Sequence, residues 1–261
     1  MLPVTLLNSL KILTQPDDST CGPTSLHAVY HYFKDTVPLD QVISEVSFLE
    51  EGGTLAVLLG CHALRRGYQA RIYTYNLHVF DPTWFKLSKE KLIANLKEQL
   101  IYKSDAKLHV ATHAYIEFLR LGGEIFHKDL TLSLLDRYFS KGVPLLAGLS
   151  ATYLYNCARE RTNDRGEAIY DDVRGEPLGH FVVLAGFDNE QEKENVIVAD
   201  PYQENPLSKN NYYNVPITRL LNAIMLGIVT YDANLLAIEP KITSNQPSEQ
   251  PNLHAQTSSG Q

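Results

Sequence analysis

Two apolar runs joined by a charged turn limit the fold of this chain more than any other feature. "HFVVLAGFD" (180–188) and "NVIVADPY" (195–202) are almost wholly apolar until their last residues, and "FDNEQEKEN" connects them. Runs of that length and composition read as buried strands, and a short polar connector makes them antiparallel neighbours. "VPLLAGLSA" (143–151) and the tyrosine-rich "YQARIYTY" (68–75) read as strands as well, and "IVTYD" (228–232) as a closing one. Upstream the period changes. Leu26, Val29, Tyr30 and Phe33 recur at helical spacing, with Ser19 or Thr20 placed to cap and Pro23 tolerated in the first turn. Leu39, Val42, Ile43 and Val46 repeat that spacing, and a third helix opens at Thr54 and closes at Gly67. Further helices are expected within 76–130, over "LSLLDRYFSKG" and over "ITRLLNAIM". Helices first and a mainly antiparallel sheet second is an α+β pattern. Residues 152–178 interrupt the strands with a long charged segment, which reads equally as a functional loop or a tolerated surface insertion.

The chain has 261 residues, 44% hydrophobic and 20% charged, enough for a core that needs no disulfide or metal. One domain over 1–238 is expected. From Glu239 the composition turns to Pro, Ser, Gln and Asn, so 239–261 is expected to be a disordered tail. A net charge of −7 argues against nucleic acid or an anionic membrane as partner. Cys21, Cys61 and Cys157 are far apart with no CxxC pair. That spacing fits a reducing compartment and a cytoplasmic location, with no cofactor and no metal expected. The first residues lack the basic start and long apolar stretch of a signal peptide, and no run is long enough to span a membrane.

The stretch "QPDDSTCGPTSL" places Cys21 at the start of the first helix. A helix N-terminus carries partial positive charge, which favours the reactive thiolate. His180 opens an apolar strand, where a polar ring needs a partner. Asp200 ends the next strand, and Pro201 stops it. In a hairpin both fall at the open end, with side chains about 5 Å apart. The carboxylate then accepts from one imidazole nitrogen and leaves the other for Cys21. Gln15, six residues before Cys21, can donate to a developing oxyanion together with the Cys21 backbone N–H. Each residue alone has an ordinary structural explanation: a small core thiol, a rim histidine, an Asp-Pro turn, a surface glutamine. Only the set points to thiol chemistry.

Gln15, "CGPTSL", "GHFVVLAGFD" and "VADPY", in that order, resemble the papain-like cysteine peptidases. Most similar is the branch of the double-glycine leader peptidase domains of bacteriocin exporters and their stand-alone bacterial relatives. The segment "GGTLAVLLGCHALRRGYQARIYTY" resembles the helix–Gly–strand of that family, whereas residues 76–130 match only loosely and look like an elaboration. The resemblance implies a papain-like fold, a nucleophile helix packed on the sheet. It implies Cys21 as nucleophile, His180 as general base and acid, Asp200 as its orienting partner and Gln15 in the oxyanion hole. Gly22 and Gly179, beside the first two, are the expected substrate-binding positions. A peptide or protein substrate and hydrolysis of a peptide or amide bond are the default. Deamidation or transamidation would use the same residues, and a binding module that has kept the fold without turnover is the alternative.

Other residues rank lower. Cys61 lies among leucines and reads as core, His62 has no second ligand pair at usable spacing, and Cys157 reads as an exposed bystander. His109 and His113 are four apart, but "HVATH" lacks the glutamate of a metalloprotease. Tyr73, Tyr75, Trp84, Phe85, Tyr153, Tyr155 and Tyr170 are expected either to wall the cleft or to pack a helical subdomain.

Overall fold

A computed structural model of the chain describes residues 9–50, 52–188 and 194–241. Three helices lead: α1 (Cys21–Tyr32), α2 (Leu39–Glu45) and α3 (Ala56–Arg65). Strand β1 (Tyr68–Thr74) follows, then α4 (Lys89–Tyr102), α5 (Ala106–Arg120), the short β2 (Glu124–Phe126) and α6 (Leu132–Phe139). Next come β3 (Leu145–Ser150), a single turn α7 (Ala151–Tyr155) and a small hairpin, β4 (Glu160–Thr162) with β5 (Ala168–Tyr170). The chain ends with β6 (Gly179–Phe187), β7 (Asn195–Ala199), β8 (Tyr212–Pro216), α8 (Ile217–Leu226) and β9 (Asn234–Pro240).

Seven strands form one sheet in the order β2-β1-β9-β3-β6-β7-β8. Every pairing is antiparallel except β1 with β2. The strict alternation of strand side chains sends each strand's apolar residues to two different cores. Phe181 and Val183 face Leu26 and Val29 of α1, together with Leu59 of α3 and Phe118 of α5. Val182 and Leu184 face the opposite way, into a core with Leu135 of α6 and Leu220 and Ile224 of α8. A sheet covered on both faces explains why its strands read as continuous apolar runs. Helix α1 is likewise buried almost all round, beyond the single stripe that its spacing suggests; Phe33 lies past its end and is partly exposed.

The closing strand differs from expectation. "IVTYD" forms a 3-10 turn, Gly227–Thr230, followed by Tyr231 in a left-handed conformation with φ of 70°. The strand is "NLLAIEP", beginning six residues after Ile228, and it lies inside the sheet between β1 and β3. It runs through Pro240, so the expected tail boundary at 239 falls within a strand. The rest of that expected tail and the charged turn at 189–193 lie outside the described residues. Strands β2 and β8 were not legible in the sequence pattern, because both are short and half exposed. Among the described residues, no helix is long and apolar enough to cross a membrane.

Candidate active site

Cys21 is the first residue of α1 and is 7% exposed. Thr20 occupies the N-cap position, but its hydroxyl turns back to Asp17, donating to the carbonyl at 2.9 Å and accepting from the N–H at 3.2 Å. Helix α1 therefore has no side-chain cap, whereas Ser88, Asp105 and Thr131 cap α4, α5 and α6. The N–H of Cys21 has no acceptor within the helix, as for any first-turn residue. Gly22 lets α1 settle this deeply: a Cβ there would overlap the Thr54 methyl and crowd Phe181. Gly22 is thus a buried packing position.

His180 is the second residue of β6 and is 6% exposed. Ring atom Nε2 pairs with Asp200 Oδ1 at 2.8 Å, and the Cys21 thiol is its other hydrogen-bonding neighbour. Burial disfavours the charged ring, but Asp200 and then Cys21 outweigh it and push the His180 pKa up to about 10. The register explains how the two meet. Val183 pairs with Ala199, so His180 lies diagonal to Asp200 and not directly across from it. Period-two alternation still puts His180 on the face of Val182, and Asp200 on that same face with Val198.

Asp200 has no exposed surface. Its Oδ1 accepts from His180 and from the Tyr202 N–H at 2.8 Å, and its Oδ2 accepts from the hydroxyls of Tyr155 at 2.7 Å and Tyr213 at 2.6 Å. Burial alone would raise this carboxyl; His180 and the two tyrosines reverse that and hold it below the usual range. Tyr213 escaped the sequence reading. It sits on β8 opposite Val198, hence on the face that carries Asp200, but β8 itself has no strong pattern.

Gln15 reaches the site from the loop before α1. Its backbone N–H donates to Pro201 O at 2.9 Å, which ties that loop to the residue after Asp200. Its side-chain Nε2 donates to Asp17 O at 3.0 Å, and its Oε1 is buried without a hydrogen-bond partner. Gln15, Cys21, Gly179 and His180 line one cleft of about 880 Å³, a size usual for a ligand site. The β4–β5 hairpin forms one wall, so the segment 152–178 does border the cleft.

The aromatic residues divide. Tyr155 and Tyr170 line the cleft, joined by Tyr202. Tyr73 and Tyr75 are buried in the core beside α6, Trp84 and Phe85 pack on the α1 side, and Tyr153 holds Arg219 at 5.2 Å from its ring. Cys61 is buried and its thiol is pushed up to about 12 by burial. His62 is bound between the Tyr30 hydroxyl at 2.8 Å and Glu45 at 3.0 Å, a structural bridge from α1 to α2. His109 bonds the Lys103 carbonyl at 2.6 Å. Among the described residues, no three His, Cys, Asp or Glu side chains are grouped to hold a metal ion.

A family model described as Peptidase_C39-like matches residues 7–222, a span that contains Gln15, Cys21, His180 and Asp200. The chain belongs to the Peptidase_C39-like family. No curated protein sequence matches it significantly. Solved structures similar to this family member include a C39-like peptidase from Bacillus anthracis, at 16% identity and TM-score 0.44, covering 89% of this chain and 95% of that one. Another is a double-glycine motif protease from an AMS/PCAT transporter in complex with the leader peptide, at 18% identity and TM-score 0.38, covering 92% and 99%. A third is the peptidase domain of Streptococcus ComA, at 14% identity and TM-score 0.39, covering 89% and 99%. The α+β architecture, with α1 packed on a mainly antiparallel sheet, is the arrangement expected from the sequence.

Proposed function

We propose that this protein is a thiol hydrolase of peptide or amide bonds, with Cys21 as nucleophile, His180 as general acid and base, and Asp200 as the group that orients His180. One observation carries the reading: His180 is held between a fully buried carboxylate and the thiol at the start of α1. An imidazole favoured in its charged form beside a thiol supports a thiolate–imidazolium pair at neutral pH. The thiolate attacks the substrate carbonyl carbon, and His180 gives its proton to the leaving amine as the C–N bond breaks. Water then loses a proton to His180, attacks the thioester, and the Cys21 thiolate departs with the free carboxylate product formed. The uncapped N–H of Cys21 and the second amide proton of Gln15 serve the oxyanion.

Iodoacetamide alkylation of the three cysteines against pH, read by mass spectrometry, tests this in wild type and His180→Ala. Cys21 is expected to react faster than the other two cysteines and to slow in the variant. Cys157, whose thiol burial and Glu160 push up, reacts only at alkaline pH. A Cys21 that reacts no faster than Cys157 and ignores His180 would sink the catalytic reading and leave a binding module.

A further inference from the structure

Asp232 is a buried acid that the reaction above does not use. It lies between the 3-10 turn and β9, is 6% exposed, and lines the same cleft as Cys21 and His180. Three glycines from separate elements make room for it. A Cβ on Gly148 of β3 would overlap the Asp232 carbonyl, one on Gly227 would crowd its backbone, and one on Gly179 would overlap its carboxylate Oδ2. Its carboxyl is therefore packed against the residue that immediately precedes His180 in β6. Gly179, which itself lines the cleft, thus also makes room there for an acid.

The charges around it give the ligand's sign. Among the described residues Asp232 forms no ion pair; the Thr230 hydroxyl bonds it, and Lys107, His180 and the Tyr115 hydroxyl are within electrostatic reach. Asp18 and Glu160 line the cleft too and repel each other. Of the cations on the cleft, Arg161 is matched by Asp171 at 2.8 Å, His180 by Asp200, and the Lys107 ammonium rests 5.3 Å from the Tyr231 ring centre. Three carboxylates thus outnumber one uncommitted cation. A buried carboxyl in such a field is relieved by an incoming positive charge.

We propose that Asp232 is a specificity-determining residue that binds a cationic group of the substrate, the side chain of a lysine or arginine next to the bond to be cleaved. This deepens the peptide-hydrolase reading and rests on the cleft being a peptide site. Burial, opposed by Thr230, Lys107 and His180, brings the Asp232 pKa up to about 7, so its anionic form grows between pH 6 and 8. Recognition of a cation strengthens over that range.

The test is binding, so that it stands apart from turnover. Hexapeptide libraries fixed at one position with lysine or with norleucine are offered to the full-length Cys21→Ala protein at pH 6 and pH 8, and bound peptides are quantified by mass spectrometry. At one position lysine is expected to be favoured about tenfold over norleucine at pH 8, the usual scale for one charge-assisted contact. The preference should weaken at pH 6 and vanish in Cys21→Ala/Asp232→Asn. No lysine preference at any position, or one that is unchanged both by pH and by Asp232→Asn, overturns the inference. If the double variant does not fold, the pH dependence in Cys21→Ala decides. A lysine preference alongside an unreactive Cys21 in the wild type would keep this inference and overturn the catalytic reading alone.

Discussion

Removing the Tyr213 hydroxyl tests whether Asp200 is held as an anion by its tyrosines. Tyr155 and Tyr213 both donate to Oδ2, while His180 and the Tyr202 N–H share Oδ1. Tyr213→Phe keeps the ring and deletes one O–H···O⁻ bond, which costs about 1.5–3 kcal/mol for a charged acceptor. In a chain of this size that corresponds to a melting point lowered by roughly 3–10 °C. Tyr155→Phe has a similar cost. The double variant is the sharper test. Either single change leaves Oδ2 one donor; both together leave a fully buried carboxylate oxygen with none, so the combined loss exceeds the sum by about 1 kcal/mol or more. The pH dependence has a definite sign. The folded Asp200 pKa lies below its ordinary 3.8, so the stabilisation is present above that value and is lost as pH falls through the folded one. The gap between wild type and Tyr213→Phe is therefore full at pH 7 and narrows in acid below 3.8. Thermal melts followed by circular dichroism across that range measure it. Single variants that melt within 1 °C of wild type, or a strictly additive double variant, would refute this role of the two tyrosines.

Two further outcomes follow from packing and charge. Gly22→Ala forces a methyl into the Thr54 side chain at the start of α1 and is expected to destabilise by about 1–3 kcal/mol, read as a lower urea midpoint with an unchanged slope. Asp232→Asn flattens the stability profile. The folded pKa of Asp232 is raised from 3.8 to about 7, so the stability it contributes falls by a few kcal/mol as pH rises from about 4 to about 7. A variant whose urea midpoint tracks the wild type across that window would show that the acid is solvated.

Local signals made the placement of most of the candidate site legible. A helix start, a strand mouth and a strand stop are set by near neighbours in sequence, so "CGP", "GH" and "DP" marked Cys21, His180 and Asp200 as residues at the ends of elements. The α+β order was legible for the same reason. Long-range contacts were not. "NLLAIEP" ends in proline and borders a polar stretch, so nothing local showed that β9 threads between β1 and β3. The seven aromatics shared a composition signal that could not separate cleft from core, and only Tyr155 and Tyr170 face the cleft.

The sequence by itself determined that a thiol, an imidazole and a carboxylate stand at element ends, because dihedral preference and hydrophobic period act over a few residues. Tertiary structure decided what surrounds them. Tyr155, 45 residues before Asp200, and Tyr213, 13 after it, meet on one carboxylate oxygen because three separate elements converge at one end of the sheet. Asp232 reaches the cleft only because Gly148, Gly179 and Gly227 leave space for it on three different segments. Such convergence depends on sheet order and register, which are fixed by burial of whole faces and not by any local stretch of residues.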